Sequence, residues 1–219
     1  MIPILHVDDH LVVVNKPAGL LSVPGRGPDK QDCVWHRVQT QYADALVVHR
    51  LDQATSGLLV LARGIEAQRR LSRAFAQRRV DKRYLAWVMG VPAEASAATP
   101  GWNRIDLPIL PDWPNRPLQI ISPDGRPCLT LWRRLEHQVS PGRTLLELQP
   151  HTGRSHQLRV HLQAIGHPIL GDELYGSPAA PDSPALQLHA WRLTLPHPLD
   201  ERAVSLEAPL PLHWGQLSP

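Results

Sequence analysis

The chain has 219 residues, 42% of them hydrophobic, with a formal net charge of +3 and a pI near 9.2. That length and apolar content suit one large domain or two lobes sharing a cleft, and exclude wholesale disorder. Its two cysteines, Cys33 and Cys128, form neither a CxxC pair nor a zinc spacing, which excludes a disulfide scaffold and indicates a reducing, cytoplasmic compartment. The N-terminus has no basic segment and no long apolar one. No stretch approaches about 18 uncharged apolar residues, so the sequence predicts a soluble protein, neither secreted nor membrane-spanning. The positive charge is almost all arginine, twenty against the three lysines Lys16, Lys30 and Lys82. Arginine forks onto phosphates and stacks on bases. A G- and C-rich genome gives the same bias, so position is more informative than the total.

Short apolar runs at Ile4–Val7 and Leu11–Asn15 flank Asp8-Asp9-His10, which predicts a β-hairpin. A loop follows from Lys16 to Pro28. Asp32 is placed to cap a helix running to about Tyr42. Between the apolar runs Ala45–Val48 and Leu58–Ala62 lies a polar stretch, His49-Arg50-Leu51-Asp52-Gln53-Ala54-Thr55-Ser56-Gly57, which reads as strand, turn, strand. Ile65–Arg79 reads as a helix with Ile65, Leu71, Ala74 and Phe75 as its apolar stripe. Arg69, Arg70, Arg73, Arg78 and Arg79 fall on its other face. From Arg63 to Arg83 eight residues are basic and two acidic, a surface suited either to solvent or to RNA phosphates.

Tyr84–Met89 is a predicted strand, and Ala93–Gly101 a surface loop. Pro108, Pro111, Pro114 and Pro117 predict an irregular loop or arm. Asp124-Gly125 predicts a hairpin turn between about Leu118–Ser122 and Cys128–Leu135. Arg143–Leu148 alternates like a strand. His151–Ser155 is expected to open a helix ending at about Ile165, with Gly166 as its stop. Gly176–Pro184 reads as a mobile loop, and Leu186–Leu195 and Ala203–Leu206 as strands. Many strands with few helices, out of βα alternation, indicate an α+β fold.

The residues narrow the chemistry. Twelve histidines suggest a metal, but His156 and His161 are five apart and no HExxH motif accompanies them. Ser56 is not in a GxSxG elbow, and no GxxxxGK[ST] or GxGxxG phosphate loop occurs. No metal and no cofactor is therefore expected. What remains is carboxylate chemistry at Asp52, which stands near Arg50, with Arg154 at a predicted helix start. A carboxylate held ionised by an arginine can act as nucleophile or base.

His49–Gly57 resembles the HRLDxxTSG signature of the RluA family of RNA pseudouridine synthases. The resemblance runs along nearly the whole chain. Asn15-Lys16-Pro17-Ala18-Gly19 is similar to the NKPxG motif of that family, Lys82–Ala86 to KxYxA, and Gly153–His161 to GRxHQIRxH. Gly166–Asp172 and Leu188-His189-Ala190 match two late motifs in order. The chain departs at Arg126 and Cys128, where the family usually has Lys and Ala; both changes are mild. Asp112–Pro117 is similar to a segment of short family members that modify a tRNA anticodon stem-loop and a 23S rRNA hairpin loop.

The resemblance implies a pseudouridine synthase fold: a mixed, largely antiparallel sheet with flanking helices and loops around a central RNA-binding cleft. It implies one catalytic domain over 1–219, with no S4-like domain ahead of it. It further implies a monomeric isomerase acting on tRNA or 23S rRNA stem-loops. Asp52, Tyr84 and Arg154 are the implied catalytic residues: Asp52 attacks C1′ or removes the C2′ proton, Tyr84 stacks on the uracil, and Arg154 pairs with the carboxylate. Arg50 is implied to fill the space left by a flipped base. His49, Arg69, Arg73, Lys82, Asn115, Arg116 and Leu188 complete the expected RNA contacts. Two other readings stay open: an RNA-binding or ribosome-assembly protein of the same fold without chemistry, and a glycosidase, which would need a second carboxylate across a cleft.

Overall fold

The computed structural model describes residues 2–93, 101–138, 142–176 and 185–214. The elements in chain order are β1 (Ile4–Val7), β2 (Leu11–Lys16), α1 (Val34–Gln39), β3 (Ala45–Val47), β4 (Ser56–Arg63), α2 (Ile65–Ala76), β5 (Asp81–Met89), β6 (Asn103–Asp106), β7 (Ile109–Pro111), β8 (Gln119–Ile121), β9 (Leu129–Gln138), β10 (Arg143–Pro150), α3 (Gln157–Ala164), β11 (Leu188–Pro196) and β12 (Ala203–Glu207). The chain divides into two compact units, Met1–Lys82 with His189–Pro219, and Arg83–Leu188. All strand pairs described below are antiparallel except one, and the α+β expectation holds.

In the first unit β4 is the hub. Its one edge pairs antiparallel with β2, in register Lys16↔Gly57 to Leu11↔Ala62, and β1 continues beyond β2. Its other edge is shared: β3 takes the far end, Ala45↔Arg63, and β11 runs parallel to the near end, His189↔Ser56 and Ala190↔Gly57. β12 then pairs with β11. Val12, Val13, Val14, Leu59, Val60 and Leu61 are all buried. With both faces covered, β2 and β4 read as continuous apolar runs instead of alternating ones. Helix α2 covers one face with Ala67, Leu71 and Ala74, packed against Leu11, Val13, Leu58, Val60, Leu193 and Leu195. Burial of a side chain such as Leu71 contributes about 1.5–3 kcal/mol.

Two local expectations change here. The expected stripe residue Ile65 is 52% exposed. The buried stripe is 67, 71 and 74, a four-plus-three spacing, and Ile65 lies two residues before it on a different face. The helix also stops at Ala76, short of Arg79. Asp32 is not the cap of α1: Cys33 is, its thiol accepting His36 N–H, and the helix ends at Gln39. Asp32 instead takes a two-point bond from Arg37 at 2.7 and 2.5 Å.

The second unit carries β5, β10, β9 and β6 in that order, β10 pairing with β5 and β9, and β6 with β9. The proline-rich stretch is not irregular throughout. Pro111 ends β7, which pairs with β8 as a separate two-stranded arm, Ile109↔Ile121 to Pro111↔Gln119. Proline survives there because the arm is an edge with few ladder bonds to lose. The expected hairpin across Asp124-Gly125 does not form either. β8 pairs back to β7, Arg126 exchanges both backbone bonds with Ile109, and β9 goes to β6 and β10. A Cβ on Gly125 would lie 2.6–2.8 Å from Ile109 backbone atoms, so glycine permits that approach. Helix α3 begins at Gln157, six residues after His151, because residues 151–156 form a turn. The expected loops at Ala93–Gly101 and Gly176–Pro184 lie almost wholly outside the described residues. Among those residues no helix is long and apolar enough to cross a membrane.

Candidate active site

In the first unit the loop between β3 and β4 presents Arg50 and Asp52. Arg50 is exposed and Asp52 half-buried, while Leu51 between them turns inward at 9% exposure. The loop backbone is fastened from three directions. Lys16, at the end of β2, is fully buried, and its ammonium donates to the carbonyls of Pro17 (3.0 Å), Leu20 (2.6 Å) and Gln53 (2.8 Å). Its three protons thus meet three carbonyls, the condition under which a buried ammonium is tolerated. Gly19 and Gln53 exchange two further bonds, Gly19 N–H to Gln53 O and Gln53 Nε2 to Gly19 O, both 2.9 Å. The Ser22 hydroxyl brackets Leu51, donating to its carbonyl at 2.7 Å and accepting its N–H at 3.1 Å. Thr55 N–H closes the turn on Asp52 O at 3.1 Å.

The loop exit is set by packing. Gly57 has φ +108°, and a Cβ there would lie 2.2 Å from Ala190 O. Only glycine lets β11 come this close to β4. One residue earlier, Ser56 Oγ bonds His189 Nδ1 at 2.8 Å in the buried interior.

Lys16 places a buried ammonium behind the loop. Burial pulls its pKa down to about 8, and the Asp52 carboxylate acts in the opposite sense. His49 belongs to the scaffold: its Nε2 accepts Val60 N–H at 3.0 Å and its ring stacks on Phe75 at 4.6 Å. Burial, then the charge of Lys82, push its pKa down to about 3, so the ring is neutral at pH 7. Lys82 itself has its pKa lowered by burial. Much of the arginine patch is engaged within the protein. Arg69 pairs with Glu66 at 2.6 Å, Arg70 donates to Pro198 O, and Arg79 pairs with Glu201 at 3.0 Å. Arg73 is exposed on α2.

In the second unit Tyr84 is half-buried on β5, opposite Leu148 of β10. Arg154 lies in the turn before α3, half-buried, with its N–H on Gln157 Oε1 at 3.1 Å. Its Nε is buried and has no hydrogen-bond partner among the described residues. An unmatched buried donor is costly and calls for an acceptor.

Gln157 organises that turn. Its Oε1 also accepts from Thr152 Oγ1 at 2.7 Å, and its Nε2 donates to Leu129 O (3.0 Å) and Thr130 Oγ1 (3.1 Å). Thr130 Oγ1 lies 2.9 Å from His161 Nδ1, and His161 Nε2 lies 2.9 Å from Leu107 O. A carbonyl only accepts, so Nε2 carries the proton, Nδ1 accepts from Thr130, and Thr130 accepts from Gln157. His161 is thereby a neutral structural group, consistent with burial lowering its pKa.

Asn115 and Arg116 sit at the tip of the β7–β8 arm. Asn115 donates to Asp112 at 3.0 Å, and Arg116 lies over the Trp113 ring at 3.6 Å. Trp113 is 63% exposed. Leu188 is buried at 3% exposure. Sequence reasoning passed over Lys16, Ser22, Trp113 and the Ser56–His189 pair. Lys16, Trp113, Ser56 and His189 had a signal, since each stands inside a family-like segment; Ser22 had none that separated it from an ordinary loop serine.

Comparisons with known proteins identify the family. A family model described as RNA pseudouridylate synthase matches residues 10–164, which span both the Asp52 loop and α3. The dual-specificity RNA pseudouridine synthase RluA of Escherichia coli K12 is 47% identical over 208 residues, covering 94% of this chain and 92% of that one. The protein of the same name from Vibrio parahaemolyticus is 48% identical over 200 residues, 89% and 78% of the two chains. Among solved structures, human RNA pseudouridylate synthase domain containing 1 superimposes with a TM-score of 0.77 at 30% identity, over 96% of this chain and 84% of that one. The chain belongs to the RNA pseudouridylate synthase family, in its RluA branch, and is an isomerase that converts uridine in RNA to pseudouridine.

Proposed function

We propose that the protein modifies defined uridines in a tRNA anticodon stem-loop and in a 23S rRNA hairpin loop, as a cytoplasmic monomer whose residues form one catalytic domain. Asp52, Tyr84 and Arg154 are its catalytic residues. Support for two substrates comes from the dual specificity named for the Escherichia coli relative and from the Asp112–Pro117 segment. The observation that carries the catalytic reading is the fastening of the Asp52 loop by Lys16, Gly19 and Ser22. A carboxylate that must meet one sugar carbon needs a backbone that does not move, and this loop is bonded on both sides of Asp52.

The reaction breaks N1–C1′, turns the uracil and joins C1′ to C5. The C5 proton leaves and N1 gains one, so atoms and electrons balance without a redox partner. Asp52 serves either by attacking C1′ or by removing the C2′ proton. Tyr84 stacks on the uracil, and its hydroxyl takes part in removing the C5 proton. Arg154 is the arginine that the family motif assigns to the reacting carboxylate. The target base leaves its stack to be reached, and the exposed Arg50 guanidinium replaces it.

Among RNA contacts, the arm ranks first. Arg116 over Trp113 pairs a cation with an exposed aromatic face, a combination suited to an unpaired base and its phosphate. Arg73, Lys82 and Leu188 remain in the set; Arg69 would first release Glu66, and His49 acts by holding the loop. Pseudouridine mapping of tRNA and 23S rRNA from cells lacking the gene tests the substrates. One position in each RNA should revert to uridine; reversion in neither would overturn the assignment.

A further inference from the structure

The Tyr175 hydroxyl meets two separate segments of the second unit. It accepts Gln119 N–H at 2.8 Å, at the loop end of the β7–β8 arm. It also bonds His156 Nδ1 at 2.7 Å, in the turn that carries Arg154. His156 stands in the left-handed region with φ +54°, unusual for a residue with a Cβ. Such a conformation persists where the surroundings hold it, and it lies two residues after Arg154.

Tyr175 is itself anchored. It is 6% exposed and packs with Ile109, Cys128 and Val160. Its ring stands edge-on to His156 at 5.5 Å, and the Arg159 guanidinium lies 5.2 Å from the ring centre. Asp172 Oδ1 accepts the N–H groups of Leu174 and Tyr175, while its two oxygens take a fork from Arg159 at 2.8 and 2.6 Å. Arg159 and Asp172 are 5% and 3% exposed, so this pair is shielded from solvent. A buried two-point bond of this kind fixes direction as well as distance.

We propose that Tyr175 is a positioning residue. Its hydroxyl holds the left-handed turn at His156, sets the direction of Arg154 through that turn, and ties both to the arm that presents Trp113 and Arg116. The arm and the catalytic arginine then share one anchor, so RNA seated on the arm meets an Arg154 already aimed. The inference rests on the reading that Arg154 is catalytic.

Tyr175→Phe keeps the ring and removes the hydroxyl. At saturating RNA the single-turnover rate of pseudouridine formation should fall roughly tenfold, while RNA affinity changes less than about threefold. The 15N resonance of His156 Nδ1 should move, reporting the lost bond. In an Arg154→Lys background, which is already slow, the same substitution should change the rate less than about twofold, because the two act as a unit. A wild-type rate for Tyr175→Phe overturns the proposal, and so does an equal loss in both backgrounds. His156→Ala supplies a second variant that should show the same rate loss if Tyr175→Phe fails to fold; a wild-type rate for it would also overturn the proposal. Arg154→Ala with a wild-type rate would overturn the underlying reading instead.

Discussion

Ser56 Oγ and His189 Nδ1 lie 2.8 Å apart in the interior, joining residues separated by 133 positions. The bond fastens β11 to the exit of the Asp52 loop, next to the close approach of Gly57 and Ala190. The burial of His189 also makes the fold sensitive to acid. Burial pushes the His189 pKa down from its ordinary value to about 4. In the unfolded chain this imidazole titrates near 6.5, so between about pH 6.5 and 4 the unfolded state binds a proton that the folded state does not. Stability therefore falls as pH falls through that window. At pH 5 the loss from this one group is about 2 kcal/mol. Thermal melts from pH 7.5 to 5 should show a falling Tm. His189→Gln should reduce that slope, leaving the part that buried His49 contributes, though it lowers Tm at pH 7.5; an unchanged slope would contradict the assignment.

Lys16 should matter to activity more than its distance from any substrate suggests. Lys16→Met removes the ammonium and leaves the Pro17, Leu20 and Gln53 carbonyls without their donor. Each stranded carbonyl costs on the order of 1–3 kcal/mol, and the loop around Asp52 loosens. We expect a marked drop in Tm and a loss of at least about tenfold in the rate constant at saturating RNA, with RNA affinity nearly intact. Loss of affinity with an unaffected rate constant would place Lys16 among the RNA contacts.

The arm tip separates stacking from charge. Trp113→Ala should weaken RNA binding by about 1–3 kcal/mol, between roughly fivefold and 150-fold, with the same dependence on salt. Arg116→Ala should instead reduce the salt slope by about one unit. Filter binding of a stem-loop RNA across a salt series reads both. Neither substitution altering affinity would remove the arm from the interface.

The sequence made some layers of this structure legible and hid others. The hairpin β1–β2, the strand pair around the Asp52 stretch and the strands β5, β10, β11 and β12 were readable, because each rests on a local apolar run bounded by turn residues. Strand partners were not. β8 follows a turn-rich segment yet pairs back to β7, and that choice depends on Ile109 burying itself with Val160 and Tyr175, a contact between distant residues. The α1 cap shows the same limit on a smaller scale: Asp32 is the better capping residue, but Cys33 holds the cap position and Asp32 is bonded to Arg37. At the site, the motifs named Asp52, Tyr84 and Arg154. They could not reveal how the Asp52 loop is held, because a buried lysine is recognisable only once three carbonyls surround it.

The central claim is that Asp52 performs the chemistry and not the binding. It is tested most directly by tritium release from C5-labelled uridine in a tRNA anticodon stem-loop transcript, measured beside RNA affinity. Wild-type protein should release tritium, whereas Asp52→Ala should release none while binding the same RNA with affinity within about threefold of wild type. Release of tritium by Asp52→Ala at a comparable rate would contradict the account.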